Sequence, residues 1–135
     1  MFHCSFHSWS ADFQSISIGT QKFKLEVATT PKELDKGLMY RRKLQPKTGM
    51  IFFFETTDRE SISMWMKHTY IPLDMLFINS SGNISCIHKN TIPHSLKYLT
   101  CEGSTMAVIE INAGEAEKYH ILVGEHLKLP TQIPL

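Results

Sequence analysis

The chain has 135 residues, of which 42% are hydrophobic and 20% are charged. This composition is typical of one globular domain and excludes a disordered chain. Fourteen Lys and Arg residues against thirteen Asp and Glu residues give a formal net charge of +1, which disfavours nucleic acid as a partner. No apolar run reaches the length of about eighteen residues that a membrane-spanning helix needs, so no membrane segment is predicted.

The three cysteines, Cys4, Cys86 and Cys101, form an odd set without a CxxC pair. This pattern predicts no disulfide framework. The first residues lack a basic region followed by an apolar one, so they do not resemble a secretion signal. We therefore expect a cytoplasmic protein. The seven histidines show no HExxH or paired CxxC spacing, and the sequence predicts neither a metal site nor a cofactor.

Residues 1–14 show no periodicity and are predicted to be a flexible arm, followed by a single domain over residues 15–135. The stretch "KFKLEVA" alternates Phe23, Leu25 and Val27 with charged residues, which predicts a half-buried strand. Thr30, Pro31 and Glu33 then form a capping-box pattern with proline at the first helical position. A short helix is expected there, weakened or ended by Gly37.

The remaining elements are mostly strands. "GMIFFFE" is apolar on both faces and predicts a strand buried on both sides. "MLFINSSGNISCIHKN" predicts a hairpin, "TIPHSLKYLTCEGS" a long loop, "TMAVIEINA" a strand, "AGEAEKYH" a helix of about two turns, and "ILVGEHLKL" a final turn and strand. Together these indicate a mainly antiparallel α+β domain of about seven strands and two short helices, with a curled, barrel-like sheet.

The central stretch "SISMWMKHTYIPLDMLFI" places ionisable groups inside an apolar pattern. Read as a strand, it puts Trp65 and Lys67 on the face opposite Met64 and Met66. Pro72 is expected to bend the chain and to bring Asp74 back toward Lys67. This predicts either an ion pair that fixes the bend or a pocket with an aromatic wall and a polar rim.

The stretches "KGLMYRRKL", "GMIFFFE", "MWMKHTYIPLDMLFI", "IHKNTIP" and "AVIEINAG" occur in the order and spacing of one protein family. From about Phe23 to about Leu127, the chain resembles the family called domain of unknown function 192. The resemblance implies a compact α+β fold with a curled, mainly antiparallel sheet, and it implies no biochemical activity. The motif positions are Gly37, Leu38, Met39, Arg41, Gly49, Met50, Phe52, Trp65, Met66, Lys67, Thr69, Pro72, Leu73, Asp74 and Gly114.

The chain departs from the family pattern at His68, where asparagine is usual, and at Gly124–Glu125, where the family has Gly-Asp. Histidine titrates near neutrality and asparagine does not. Many members of the family carry export signals, and none is recognised in this sequence. A periplasmic location is therefore not carried over to this chain from the resemblance.

Three hypotheses about function follow. The first is a small-molecule or carbohydrate-binding module with a pocket at Trp65, Lys67, Thr69 and Asp74, together with Arg41 and His68. The second is a hydrolase- or isomerase-like enzyme that uses Asp74 or Glu110 as base beside Lys67; however, the preferred interpretation of Glu110 is an ion pair with Arg41 or Lys67, or exposure. The third is a structural or protein-interaction domain without a ligand. The sequence indicates no oligomeric state.

Overall fold

Six strands form one sheet in the computed structural model, which describes residues 12–130. The strands are β1 (Phe13–Ile18), β2 (Gln21–Ala28), β3 (Thr48–Phe53), β4 (Leu73–Ile78), β5 (Ile84–His88) and β6 (Ala107–Asn112). Two short α-helices, α1 (Pro31–Lys36) and α2 (Glu115–Lys118), and a 3-10 helix (Thr56–Ser61) complete the described elements. The predicted α+β class is confirmed.

The strands lie in the order β1-β2-β3-β6-β4-β5. Only β2 and β3 are parallel, with α1 in the connection between them, and every other neighbouring pair is antiparallel. β3, β6 and β4 therefore occupy the centre of the sheet. Because β6 enters between β3 and β4, residues that are far apart in the sequence become neighbours there.

The first helix forms as its sequence predicts. The hydroxyl of Thr30 accepts a hydrogen bond from the N–H of Glu33, and the Glu33 carboxylate accepts one from the N–H of Thr30. Pro31 begins the helix and Gly37 ends it. These bonds satisfy N–H groups that a helix of six residues otherwise leaves to water.

The hairpin prediction is also confirmed, since β4 and β5 pair in antiparallel fashion around a turn in which the side chain of Asn79 accepts from Ser81 and Asn83. β6 and the long β5–β6 loop, residues 89–106, lie where the pattern places them. α2 has a single turn rather than two. The predicted C-terminal strand is reduced to an isolated bridge between Asn83 and His126.

The sheet has an open edge at β1 and another at β5, so the barrel-like closure and the seventh strand are wrong. The central strands are buried on both faces because each face has its own apolar layer. Ala116, Ile121 and Leu127 pack on one face, and Leu38, Met66 and Ile71 pack on the other. The central strands are therefore buried on both faces by chain segments that cover the sheet, and this burial does not require the sheet to close into a barrel.

A second predicted strand, the first half of the central stretch, also does not form. Residues 62–72, here called the 62–72 segment, contain only an isolated bridge between Met64 and Leu99. His68 has a φ of 53°, a left-handed conformation that no strand tolerates. Hence the side chains of this segment do not alternate between two faces as expected.

Cys86 and Cys101 form a disulfide bond, with their Cα atoms 5.9 Å apart. The prediction that no disulfide would form is therefore wrong. The spacing conceals the pairing because β5 and the β5–β6 loop approach each other only in the folded chain. Disulfides are typical of oxidising compartments, so the cysteine pattern no longer supports the cytoplasmic expectation.

Between residues 12 and 130, no helix is long and apolar enough to cross a membrane. The predicted flexible arm lies outside the described residues except for its last three, of which Phe13 and Gln14 belong to β1. The described part of the chain holds no group of three or more His, Cys, Asp or Glu side chains arranged to bind a metal ion.

Candidate functional site

A cleft of about 240 Å³ lies between α1 with its following turn, the 62–72 segment and the face of β3 and β6 that carries Phe52 and Glu110. We call it the Glu110 cleft. Many of its lining residues belong to the family motifs, although those motifs are widely separated in sequence. The lining consists of Leu34, Asp35, Lys36, Gly37, Leu38, Met39, Phe52, Ser63, Met64, Trp65, Thr69 and Glu110.

Glu110 supplies the carboxyl group at the base of this cleft. The residue is 4% exposed, and its side chain makes no hydrogen bond or ion pair with any residue from 12 to 130. The interpretation as an ion-pair partner or an exposed residue is therefore wrong. The sequence feature that could have revealed this burial is a single charged residue within a strand that is otherwise apolar on both faces.

The position of Glu110 in the sheet explains its protonation. Met50 on β3 and Met75 on β4 are its direct neighbours across the strands. Burial among such groups penalises the charged carboxylate and raises the pKa of Glu110 to about 8. At neutral pH the cleft therefore contains a neutral carboxyl group that can both donate and accept a hydrogen bond.

Trp65 and Lys67 come together as expected. The Lys67 Nζ atom lies 5.1 Å from the centroid of the indole ring, in a cation–π contact. Tyr98 stacks on the same indole with ring centroids 5.8 Å apart. These contacts fix the orientation of Trp65, which lines the cleft, whereas Lys67 does not line it.

The wall that carries Trp65 is held in place by the β5–β6 loop. Met64 exchanges two backbone hydrogen bonds with Leu99, and the N–H of Met66 donates to the carbonyl of Ser95. Thr69 lines the cleft, and its hydroxyl donates to the carbonyl of Lys67 at 3.1 Å. The irregular 62–72 segment thus gains from this loop the backbone partners that a sheet would otherwise supply.

Asp74 lies elsewhere. It is fully buried, and its carboxylate accepts hydrogen bonds from the N–H groups of Asn90, Gly114 and Ala116 at 2.9 to 3.0 Å. It does not line the cleft, and among the residues described it forms no ion pair with Lys67. The expected return of Asp74 toward Lys67 therefore does not occur, because backbone donors occupy its oxygens.

The register of β4 and β6 also separates the two candidate catalytic carboxyl groups. Asp74 pairs with Ile111, and Glu110 pairs with Met75. Since neighbouring residues along a strand face opposite sides, Asp74 and Glu110 project from opposite faces of the sheet. An acid–base mechanism in which both act on one atom with Lys67 is therefore excluded.

Arg41 forms a two-point ion pair with Glu26, in which its Nη2 atom donates to Oε1 at 2.9 Å. This hydrogen bond raises the pKa of Arg41 further above its ordinary value. Arg41 and Glu26 line a smaller depression of about 150 Å³ that shares Lys36 and Gly37 with the cleft. Arg41 thus lies next to the cleft, with its guanidinium already paired.

His68 lies on the surface, where its ring stacks on Tyr40 with centroids 5.3 Å apart. Its backbone is left-handed, with a φ of 53°, and His and Asn are among the residues that adopt this conformation most readily. His68 does not line the cleft. Its role in ligand binding remains a prediction.

Two motif glycines allow the cleft to form. A Cβ atom on Gly49 would lie 2.0 Å from the carbonyl oxygen of Glu110, so β3 approaches β6 closely only without a side chain. Gly37 has a φ of 49°, and its Cβ would lie 2.9 Å from the ring of Phe52. Both glycines therefore set the backbone positions on which the cleft depends.

The five sequence stretches that carry the resemblance meet in the folded chain around the Glu110 cleft and the buried Asp74. This arrangement indicates membership of a protein family. The chain belongs to the family of domain of unknown function 192 (DUF192), described as "Uncharacterized ACR", whose model matches residues 14–129. The motif resemblance noted in the sequence is thereby confirmed at the level of the family. No curated protein is significantly similar to the chain.

Two solved structures are similar to this fold over most of their length. One, from Sinorhizobium meliloti 1021, is described as a "putative transcription regulator"; it is 35% identical, has a TM-score of 0.80, and the alignment covers 88% of this chain and 95% of that one. The other is a protein of unknown function from Novosphingobium aromaticivorans DSM 12444. It is 32% identical and has a TM-score of 0.76, and the alignment covers 85% of this chain and 82% of that one.

Proposed function

We propose that this protein binds a small molecule in the Glu110 cleft. The observation that supports the proposal is the Glu110 carboxyl group, which is buried, lines the cleft and has no partner among residues 12–130. The Glu110 oxygens are not among the fully enclosed side-chain atoms that lack a partner in the described residues, so they are open to the cleft, while burial of the rest of the group still costs folding free energy. A ligand that pairs with this group gives a physical reason for retaining it inside an apolar strand.

The size of the cleft limits the ligand. Its volume of about 240 Å³ lies just below the roughly 300–1,000 Å³ of pockets that hold drug-sized molecules. It corresponds to about eight water molecules, at roughly 30 Å³ for each in the liquid. An amino-acid-sized molecule or a single sugar ring fits this space, whereas an extended glycan chain does not.

We expect neither nucleic acid nor a membrane as a partner. The formal net charge is +1, and the basic stretch that contains Arg41 has one of its guanidinium groups neutralised by Glu26. Binding to a polyanion depends on an unpaired basic surface. The description of the Sinorhizobium meliloti protein is therefore not carried over to this chain as a DNA-binding role.

The proposal is tested by thermal unfolding with a panel of amino acids, amines, monosaccharides and small carboxylic acids. A ligand present at one hundred times its dissociation constant stabilises the folded state by about 2.7 kcal/mol, which gives a clear shift in Tm. Ser63 is an exposed residue that lines the cleft. Ser63→Phe is therefore expected to block the site and to abolish the shift.

Ser61→Phe is the matched control, since Ser61 is also exposed and does not line the cleft. It is expected to retain the full ligand-induced shift. If no compound in the panel stabilises the protein, or if Ser63→Phe and Ser61→Phe respond equally, the cleft is not a binding site and the proposal fails.

A further inference from the structure

We infer that the ligand of the Glu110 cleft carries an ammonium group, which binds between the Glu110 carboxyl and the Trp65 indole and releases the carboxyl proton to solvent. This inference rests on the proposed function and narrows its ligand to a chemical class. In the exchange, the Glu110 carboxylic acid loses its proton to the buffer. The resulting carboxylate pairs with the ammonium ion, so charge and protons balance.

The carboxyl group is suited to an exchange of this kind. Met50 and Met75 flank Glu110, and no cation lies within ion-pair distance of it in the part of the chain described. With the cleft empty, burial keeps the acid neutral at pH 7, since its pKa is raised to about 8. A cation close to the carboxyl reverses this preference, because an opposite charge favours the ionised form.

The rest of the lining offers little to other ligand classes. Lys36 is the only cationic side chain among the lining residues described, and none of these residues is Arg, His, Asn or Gln. The hydroxyl of Thr69 already donates to a backbone carbonyl. An anionic ligand would meet the carboxylate of Asp35 and would find Lys36 as its one cation among these residues, and a hydroxyl-rich ligand would find few directed donors and acceptors.

The apolar walls favour an organic cation. Trp65 and Phe52 provide aromatic surface, and Met39 and Met64 provide polarisable thioethers. Lys67, which lies outside the cleft lining, is already in contact with this indole, so an ammonium ligand shares the ring with it. The exposed Asp35 adds a second carboxylate to the lining. An ammonium group with a compact apolar body matches these surfaces.

The other ionisable groups near Glu110 belong to identifiable elements. Asp35 and Lys36 face the cleft from α1, and the lining residues of the 62–72 segment carry no ionisable side chain. Met50 pairs on its other side with Glu26 of β2, whose charge is neutralised by Arg41. Met75 pairs on its other side with His88 of β5. Glu110 is thus the buried group in this region whose proton an entering cation displaces.

The inference is tested by calorimetric titration with three compounds of the same shape: cyclohexylammonium, cyclohexanol and cyclohexanecarboxylate. Each is measured at pH 7 in phosphate and in MOPS, neither of which carries a primary ammonium group, and their different ionisation enthalpies reveal protons exchanged on binding. We expect the ammonium compound to bind at least tenfold more tightly than the other two. It is expected to release close to one proton per molecule bound.

Glu110→Gln keeps the shape of the side chain but has no proton to release. We expect it to lower the affinity for cyclohexylammonium at least tenfold and to abolish the proton release, while its thermal unfolding shows that it folds. Glu117→Gln, at an exposed position on α2 outside the cleft, is the matched control and is expected to behave as the unmodified protein.

If cyclohexanol or the carboxylate binds as tightly as the ammonium compound, or if Glu110→Gln binds the ammonium compound with unchanged affinity, the inference is overturned and the cleft proposal stands. If none of the three compounds binds, the inference is likewise overturned. The cleft proposal fails with it only when the broader ligand panel is also negative.

Discussion

The carboxylate of Asp74 accepts a hydrogen bond of 3.0 Å from the backbone N–H of Gly114, a residue forty positions further along the chain. The N–H groups of Ala116 and Asn90 bond to the same carboxylate. One side chain therefore joins the start of β4, the start of α2 and the beginning of the loop that follows β5. This bonding assigns Asp74 a structural role at the junction of three family motifs.

Replacing Asp74 with Ala is expected to lower the free energy of unfolding by about 3–5 kcal/mol, since three N–H groups lose a charged acceptor in the interior. Asp74→Asn retains one acceptor oxygen and is expected to cost less. Urea unfolding measures both. Asp58→Ala, at an exposed position in the 3-10 helix, is the control and is expected to change stability by less than about 0.5 kcal/mol. Equal midpoints for Asp74→Ala and Asp58→Ala would contradict this role.

The stability of the protein is expected to depend on pH through Glu110. Its pKa is about 8 in the folded state, against an ordinary value of 4.5. The folded protein therefore retains a proton that the unfolded chain loses above pH 4.5. The resulting stabilisation is fully present below pH 4.5 and is lost progressively as the pH rises to about 8, at up to about 1.4 kcal/mol per pH unit.

Glu110→Gln removes this dependence. As the pH rises from 4.5 to about 8, the free energy of unfolding of Glu110→Gln is expected to increase relative to that of the unmodified protein. Urea unfolding at several pH values measures the difference, and Glu117→Gln serves as control. Parallel curves for Glu110→Gln and the unmodified protein between pH 4.5 and 8 would show that the carboxyl group is not buried as described.

The Cys86–Cys101 disulfide is expected to stabilise the fold and the wall of the cleft. It closes a loop of 15 residues, for which the loss of chain entropy in the unfolded state corresponds to about 3 kcal/mol. The double variant Cys86→Ser, Cys101→Ser is expected to unfold at a lower temperature. A reductant is expected to lower the Tm of the unmodified protein and to leave that of the double variant unchanged. A Tm that is insensitive to reductant in both would refute this expectation.

The left-handed conformation of His68 predicts a clear order among its variants. His68→Asn is expected to change stability by less than about 0.5 kcal/mol, since asparagine adopts this conformation readily. His68→Val is expected to cost about 1–3 kcal/mol, because a β-branched side chain is strained at a φ of 53°. His68→Ala isolates the loss of the stack on Tyr40. Chemical unfolding of the three variants tests the order, and a Val variant as stable as the Asn variant would contradict it.

The sequence predicted local elements well. The capping box at Thr30 and Glu33, the β4–β5 hairpin and the doubly buried strand β3 all appear as expected. Each depends on contacts among residues close together in the chain or on a hydrophobic pattern that a single strand carries. The strand expected at residues 61–67 does not form, because the 3-10 helix extends to Ser61 and the β5–β6 loop supplies the backbone partners of Met64 and Met66.

The site was only partly predictable. Trp65 and Thr69 do line a cleft, and Lys67 does contact the indole. The carboxyl group that faces the same cleft is Glu110, whereas Asp74 is enclosed by backbone donors. The alternation of residues along one strand tells which side chains share its face. It does not tell which other strand becomes its neighbour, and that neighbour decides which charges meet.

The amino-acid sequence by itself determined the family, the α+β class and the capping box that begins α1, because motif spacing, capping and periodicity are properties of short stretches. Only the tertiary structure decided that the sheet stays open, that Cys86 meets Cys101, and that Glu110 and Trp65 line the same cleft. The place of Glu110 follows from β6 inserting between β3 and β4, a pairing between distant segments that buries an apolar layer on each face of the sheet.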